Sequence, residues 1–165
     1  IQVALPMMRC AKDPRIIVVG SINSRVGVPL LGPYVASKHA LVGLLSSLRR
    51  ELPPAGPKIT LLEPGAVDTP LWDKVRSASA HLSNGEYPEE RSPYADLIAS
   101  ARRRLVKTTR RGISPAKVAE IIERCANRSN PPKRRLVGRD ARLAAAAEKL
   151  FGGRILDSLL RKFRS

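Results

Sequence analysis

Aromatic side chains are scarce: the 165 residues hold one Trp, three Tyr and two Phe. A chain so poor in stacking surfaces, with no recognised nucleic-acid motif, is not expected to bind RNA or DNA. Cysteine is as rare. Cys10 and Cys125 cannot build a disulfide framework, and neither has the Cys or His neighbours that zinc would need. His39 and His81 stand alone in the sequence. No apolar run reaches the roughly eighteen residues of a spanning helix, and no leader pattern opens the chain, so a reducing cytoplasmic setting is the expectation. Acidic residues are few beyond residue 100. Residues 1–100 carry 11 Lys and Arg against 9 Asp and Glu, whereas 101–165 carry 19 against 5. The basic excess therefore belongs to the second part of the chain, where it favours anionic surfaces such as lipid headgroups.

What is present is an alternation of short apolar strands and amphipathic helices, which points to an α/β fold with a parallel sheet. Arg15-Ile16-Ile17-Val18-Val19 is β-branched and apolar, the composition of a strand buried on both faces. Lys58 to Glu63 reads as the next strand, stopped by Pro64-Gly65, and Arg134 to Gly138 as a third. A helix is expected from about Pro33 to Glu51, with Leu41, Val42, Leu44, Leu45 and Leu48 as its apolar stripe and Pro53-Pro54 as its stop. Tyr94 to Arg111 is expected to be helical. So is the segment that Ser114 caps and Pro115 opens, with Val118, Ile121, Ile122 and Cys125 as the buried side. The first ten residues read as the last turns of a helix that starts earlier.

The most specific chemistry lies between Gly20 and Lys38. Tyr34 and Lys38 are four apart, so on a helix both project from one face. A tyrosine hydroxyl ordinarily titrates near ~10, and a nearby ammonium favours the phenolate, which turns the pair into a proton donor and acceptor. Ser21 sits at the carboxyl end of the first strand, where functional groups of open α/β sheets gather. A loop broken by Gly27, Pro29, Gly32 and Pro33 can bring its hydroxyl toward Tyr34. Ser24 is a rival, but it is closer to Tyr34 in sequence and leaves a shorter return path.

A tyrosine and a lysine at this spacing are common by chance; the weight lies in the whole order. G-S-x(12)-Y-x-A-S-K after an apolar strand, followed by Pro64-Gly65-Ala66-Val67-Asp68-Thr69-Pro70, resembles the catalytic half of the short-chain dehydrogenase/reductase family. The wording around Tyr34 is most similar to the branch that acts on steroids, retinoids and comparable lipophilic alcohols. The resemblance implies the second half of a Rossmann-like doubly wound sheet. It also implies an NAD(P)-dependent oxidoreductase that interconverts an alcohol and its ketone or aldehyde by hydride transfer. Carried over by position, Ser21 would orient the substrate oxygen, Tyr34 would be the acid and base, and Lys38 would tune Tyr34 and hold the nicotinamide ribose. Tyr34 and Lys38, with Pro64, Gly65, Val67 and Thr69, would face NAD or NADP.

Further expectations follow from the same resemblance. Residues 1–141 would be the sheet domain, with a substrate loop over about 70–95 in which Leu71, Trp72 and Val75 offer apolar contacts. The helix at 34–51 would support a homo-oligomer. Residues 142–165 form a basic amphipathic tail, expected to be broken at Gly152-Gly153, that could meet a membrane surface. The family's glycine-rich phosphate turn and its N-N-A-G segment have no counterpart here, and are expected to lie before Ile1. Asn23 is on the wrong side of Ser21 to serve as the family's asparagine. A silent interaction or dimerisation protein on the same fold is the alternative reading.

Overall fold

The structure, a computed structural model, describes residues 1–70, 94–109 and 112–161; Leu71, Trp72 and Val75 lie outside these. In chain order the elements are α1 (Leu5–Arg9), β1 (Arg15–Val19), a 3-10 turn (Ile22–Ser24), α2 (Gly32–Glu51) and β2 (Lys58–Pro64), followed by α3 (Ala95–Thr109), α4 (Pro115–Asn127), β3 (Arg134–Val137) and α5 (Arg139–Arg161). The strands form one parallel sheet in the order β1-β2-β3, so β2 is the middle strand. Parallel neighbours need a crossover, and helices supply it.

Side chains alternate across β2 and divide the core. Ile59 and Leu61 join Ile16 of β1 and Leu45 of α2 on one face, with Val42, Leu48, Leu5 and Met8 closing over them. Leu62 joins Val118 and Cys125 of α4 and Val137 of β3 on the other, flanked by Ile17, Ile121 and Ile122. The sheet is thus covered on both sides, which is why β1 and most of β2 are apolar runs rather than alternating ones.

Several boundaries are set locally. Ser114 caps α4, its Oγ accepting the Lys117 N–H at 3.3 Å, and Pro115 occupies the first turn, where its missing N–H costs nothing. Helix α2 stops as the Leu52 N–H bonds back to the Leu48 carbonyl at 3.1 Å and the backbone turns extended ahead of Pro53. At the amino ends of β1 and β2, Arg15 pairs with Asp13 and Lys58 Nζ reaches Asp13 Oδ1 at 3.2 Å. Hydrogen bonds from these two cations, Arg15 first, lower the Asp13 carboxyl to about 2.

Three expectations shift. Strand β2 runs one residue further, through Pro64, because the lone backbone N–H that proline lacks falls at the strand's end. Helix α1 is a short piece whose first turn contains Pro6. The tail is not broken at Gly152-Gly153: α5 begins at Arg139 and is helical through Arg161. Two glycines weaken a helix by roughly 1 kcal/mol each, and the Ala144–Ala147 run and the leucines around them offset that cost.

Gly20 prolongs the β1 ladder, its N–H donating to the Leu62 carbonyl at 2.8 Å. A Cβ there would stand 2.9 Å from Leu61 Cδ1 and 3.2 Å from the Leu62 carbonyl oxygen. Gly20→Ala is expected to destabilise the protein by about 1–3 kcal/mol in urea unfolding, through forced movement against the middle strand. An unchanged midpoint would show that β1 leaves room the structure does not contain.

Candidate active site

Because the three strands are parallel, the turns after β1, β2 and β3 all leave the same edge of the sheet. The candidate residues sit there, at the edge where such folds collect their ligands. Ser21 follows β1 directly and caps the 3-10 turn, its Oγ accepting the Asn23 N–H at 3.2 Å. That turn lies against α2, so the serine segment and the Tyr34 helix are neighbours. Among the described residues no hydrogen bond joins the Ser21 and Tyr34 hydroxyls.

Tyr34 is in the first turn of α2 and is 43% exposed, leaving its ring open to a ligand. Lys38 follows one turn on, with Nζ 5.4 Å from the centre of the Tyr34 ring. The one-face geometry expected from the spacing is therefore present, and the ammonium lies within cation–π reach of the ring. Ser37 Oγ donates to the Tyr34 carbonyl at 2.6 Å within the same turn of helix. The loop that delivers α2 carries backbone strain at Leu30, whose φ is 66°. A left-handed leucine costs on the order of 1–3 kcal/mol and is the kind of outlier found beside functional segments.

Ser24, the rival serine, is 4% exposed and donates to Glu63 Oε1 at 2.5 Å. It belongs to a buried cluster that sequence reasoning missed. Glu63 is fully buried on β2. Arg25 Nε reaches both its carboxylate oxygens at 3.0 Å and Arg25 Nη2 reaches Oε2 at 2.6 Å. From β3, Arg134 Nε donates to Oε2 at 3.1 Å and its Nη2 pairs with Oε1. Burial would raise the Glu63 carboxyl, but the hydrogen bonds of Arg134, Arg25 and Ser24 overcome it and hold the group below its ordinary value. The signal was in the sequence: a carboxylate inside an apolar strand run must find partners or neutralise.

Beyond β2, the Pro64–Pro70 segment is pinned from two directions. The Gly65 N–H donates to the Val137 carbonyl at 2.9 Å, while Ile113 accepts from Asp68 at 2.9 Å and donates to the Ala66 carbonyl at 3.0 Å. Val67 forms a parallel bridge with Ile113, and Val67 and Thr69 are half-buried. Gly65, Ala66, Val67 and Asp68 are thus fixed by β3 and by Ile113, with Pro64 and Thr69 flanking them. No group of three or more His, Cys, Asp or Glu among the described residues could hold a metal.

The family profile described as short chain dehydrogenase matches residues 1–80. An uncharacterized oxidoreductase of Bacillus subtilis (strain 168), YusZ, is 34% identical over 96% of this chain and 55% of its own length. Retinol dehydrogenase 8 of Bos taurus is 33% identical over 82% of this chain and 43% of its own. A short chain dehydrogenase/reductase of Burkholderia phymatum, solved in complex with NAD, superposes with a TM-score of 0.63 at 27% identity, covering 90% of this chain and 51% of that one. The chain belongs to the short-chain dehydrogenase/reductase family, with the Rossmann-like α/β fold of its solved relatives. It spans about half the length of the curated relatives it matches.

The charge on Glu63 sets a pH dependence. Its folded pKa is lowered, so its stabilising contribution is complete above the free glutamate value of ~4.3 and is lost as pH falls through the lower folded value. Glu63→Gln is expected to cost about 3–5 kcal/mol near pH 7, where it strands Arg25 and Arg134. The gap between the two proteins in urea midpoint should narrow toward about pH 3. A gap that is the same at both pH values would show that the carboxylate is not ionised in the fold.

Proposed function

We propose that this chain supplies the proton-transfer side of an NAD(P)-dependent oxidoreductase acting on an alcohol and its ketone or aldehyde. The observation that carries the reading is Lys38 Nζ held 5.4 Å from the centre of a half-exposed Tyr34 ring, beside the turn that presents Ser21. Tyr34 takes the proton from the substrate hydroxyl in oxidation and returns it in reduction. Ser21 orients the reacting oxygen by hydrogen bonding. Its own hydroxyl is turned to one local N–H, whereas Ser24 is committed to Glu63, which favours Ser21 for the role. Lys38, within cation–π reach of the Tyr34 ring, would hold the ribose of the dinucleotide.

The dinucleotide fits this edge at its nicotinamide end. Pro64, Gly65, Val67 and Thr69 line a strand exit whose backbone is fixed by Val137 and Ile113, and the half-buried Thr69 is suited to a carboxamide. When bound, it supplies the hydride acceptor or donor. The chain's own residues bind it, orient the substrate oxygen and move the proton.

The similarity to a retinol dehydrogenase supports a small lipophilic alcohol or carbonyl compound as substrate. A homo-oligomer through α2 is part of the proposal, supported by Leu44, which is 58% exposed on that helix. We also propose a cytoplasmic protein whose basic tail contacts membrane surfaces; no helix among the described residues is long and apolar enough to cross a membrane.

In a catalytically competent protein carrying this chain, Tyr34→Phe keeps the ring and removes the proton. Turnover should fall by about 10²–10⁴-fold while dinucleotide affinity stays within a few-fold. Retention of more than about a tenth of the activity would remove Tyr34 from the acid–base role.

A further inference from the structure

The turn after β2 has a third anchor, one that the strand-exit pattern does not explain. Asp140, in the first turn of α5, accepts the Ala66 N–H on its Oδ2 at 2.7 Å. Two glycines surround this carboxylate. A Cβ on Gly65 would fall inside contact distance of both Asp140 oxygens, and a Cβ on Gly138 would crowd Oδ1. Gly138 also has φ +106°, which turns the chain out of β3 and lets α5 begin at once. By sequence, Gly65 needs to do no more than help Pro64 stop the strand. In the structure its missing side chain is what admits Asp140.

We propose that Asp140 is a positioning residue for the cofactor-facing turn, and that Gly65 and Gly138 are the space it requires. Its carboxylate fixes the Ala66 amide, and through it the backbone leading to Val67 and Thr69. A charged acceptor on a backbone N–H is among the stronger single hydrogen bonds, and a carboxylate is additionally favoured in the first turn of a helix. Helix α5 also contacts the 3-10 turn that follows Ser21. Asp140 therefore stands where movement of α5 would be felt by both sides of the candidate site. This inference rests on the dinucleotide reading above only for its consequence in catalysis; the latch itself is a statement about the fold.

The test has two arms. In the first, amide hydrogen exchange is measured by mass spectrometry for Asp140→Ala, Gly65→Ala and the double variant. If the latch exists, residues 64–70 exchange about tenfold faster in either single variant, the double is no faster than the singles, and β1 and β2 keep their protection. Unchanged exchange in Asp140→Ala, or single-variant effects that multiply in the double, would overturn the proposal. In the second arm, steady-state kinetics of a competent protein carrying this chain should show KM for the dinucleotide raised about tenfold in Asp140→Ala, with kcat moved far less, because the turn is misplaced while Tyr34 is untouched. Asp140→Asn, which keeps an acceptor oxygen, should recover most of the loss. Faster exchange with an unaltered KM overturns the positioning role and leaves the proton-transfer reading intact. A wild-type protein that neither binds nor turns over dinucleotide defeats that reading, and with it the catalytic consequence proposed here, while the first arm still decides the latch.

Discussion

A single buried carboxylate holds together the parts of this structure that matter for chemistry. Glu63 lies on the middle strand with no exposed surface, and three side chains from two different segments close on it. Ser24 and Arg25 come from the turn that begins at Ser21, and Arg134 comes from β3. Removing a charge from water is costly, and this arrangement answers the cost with hydrogen bonds that exist only when both segments are docked on β2. The turn carrying the candidate serine is consequently fixed to the strand whose exit carries the candidate cofactor segment. Arg49 of α2 adds a further tie, its Nη2 donating to the Ile59 carbonyl at 3.2 Å and to the Lys133 carbonyl at 2.7 Å. Burial first, and then the neighbouring Arg134 charge, hold Arg49 below its ordinary pKa.

The three strand exits differ in what they can bind. After β1 the chain makes a three-residue 3-10 turn capped by Ser21, which offers a hydroxyl but no long helix pointing at an anion. After β2 the backbone donors of Gly65, Ala66 and Asp68 are already taken by Val137, Asp140 and Ile113. After β3 a helix does begin immediately, but it places the Asp140 carboxylate in its first turn, where an incoming phosphate would meet a like charge. None of the three is built for a pyrophosphate. The roles proposed for them are confined to a reacting oxygen and the nicotinamide end of a dinucleotide.

Much of this was legible before the structure. The β-branched run ahead of Gly20 marked β1 to the residue, because an apolar run of that length is what a strand inside a parallel sheet requires, and the short Arg134–Val137 stretch stopped by Gly138 marked β3 to within one residue. Ser114 and Pro115 gave the start of α4 for the same local reason. The Tyr34–Lys38 face followed from helical spacing. What escaped was every contact between segments distant in sequence. Glu63 with Arg25 and Arg134, and Asp140 with Ala66, pair residues 38 to 74 positions apart, and nothing local in either partner announces the other. The tail failed in the opposite way: Gly152-Gly153 is a strong local breaker, yet α5 runs through it. A helix is a cooperative object, and the residues on both sides of the pair favour it.

Calorimetric titration of the 165-residue chain with each of NAD, NADH, NADP and NADPH tests the account most directly. Among the described residues the exits of β1, β2 and β3 leave no free anion cradle, so the chain alone is expected to show no binding at micromolar concentrations, even where circular dichroism finds it folded. Micromolar or tighter binding by the folded chain would contradict the account, since the chain would then hold a pyrophosphate by means other than the exits of β1, β2 and β3.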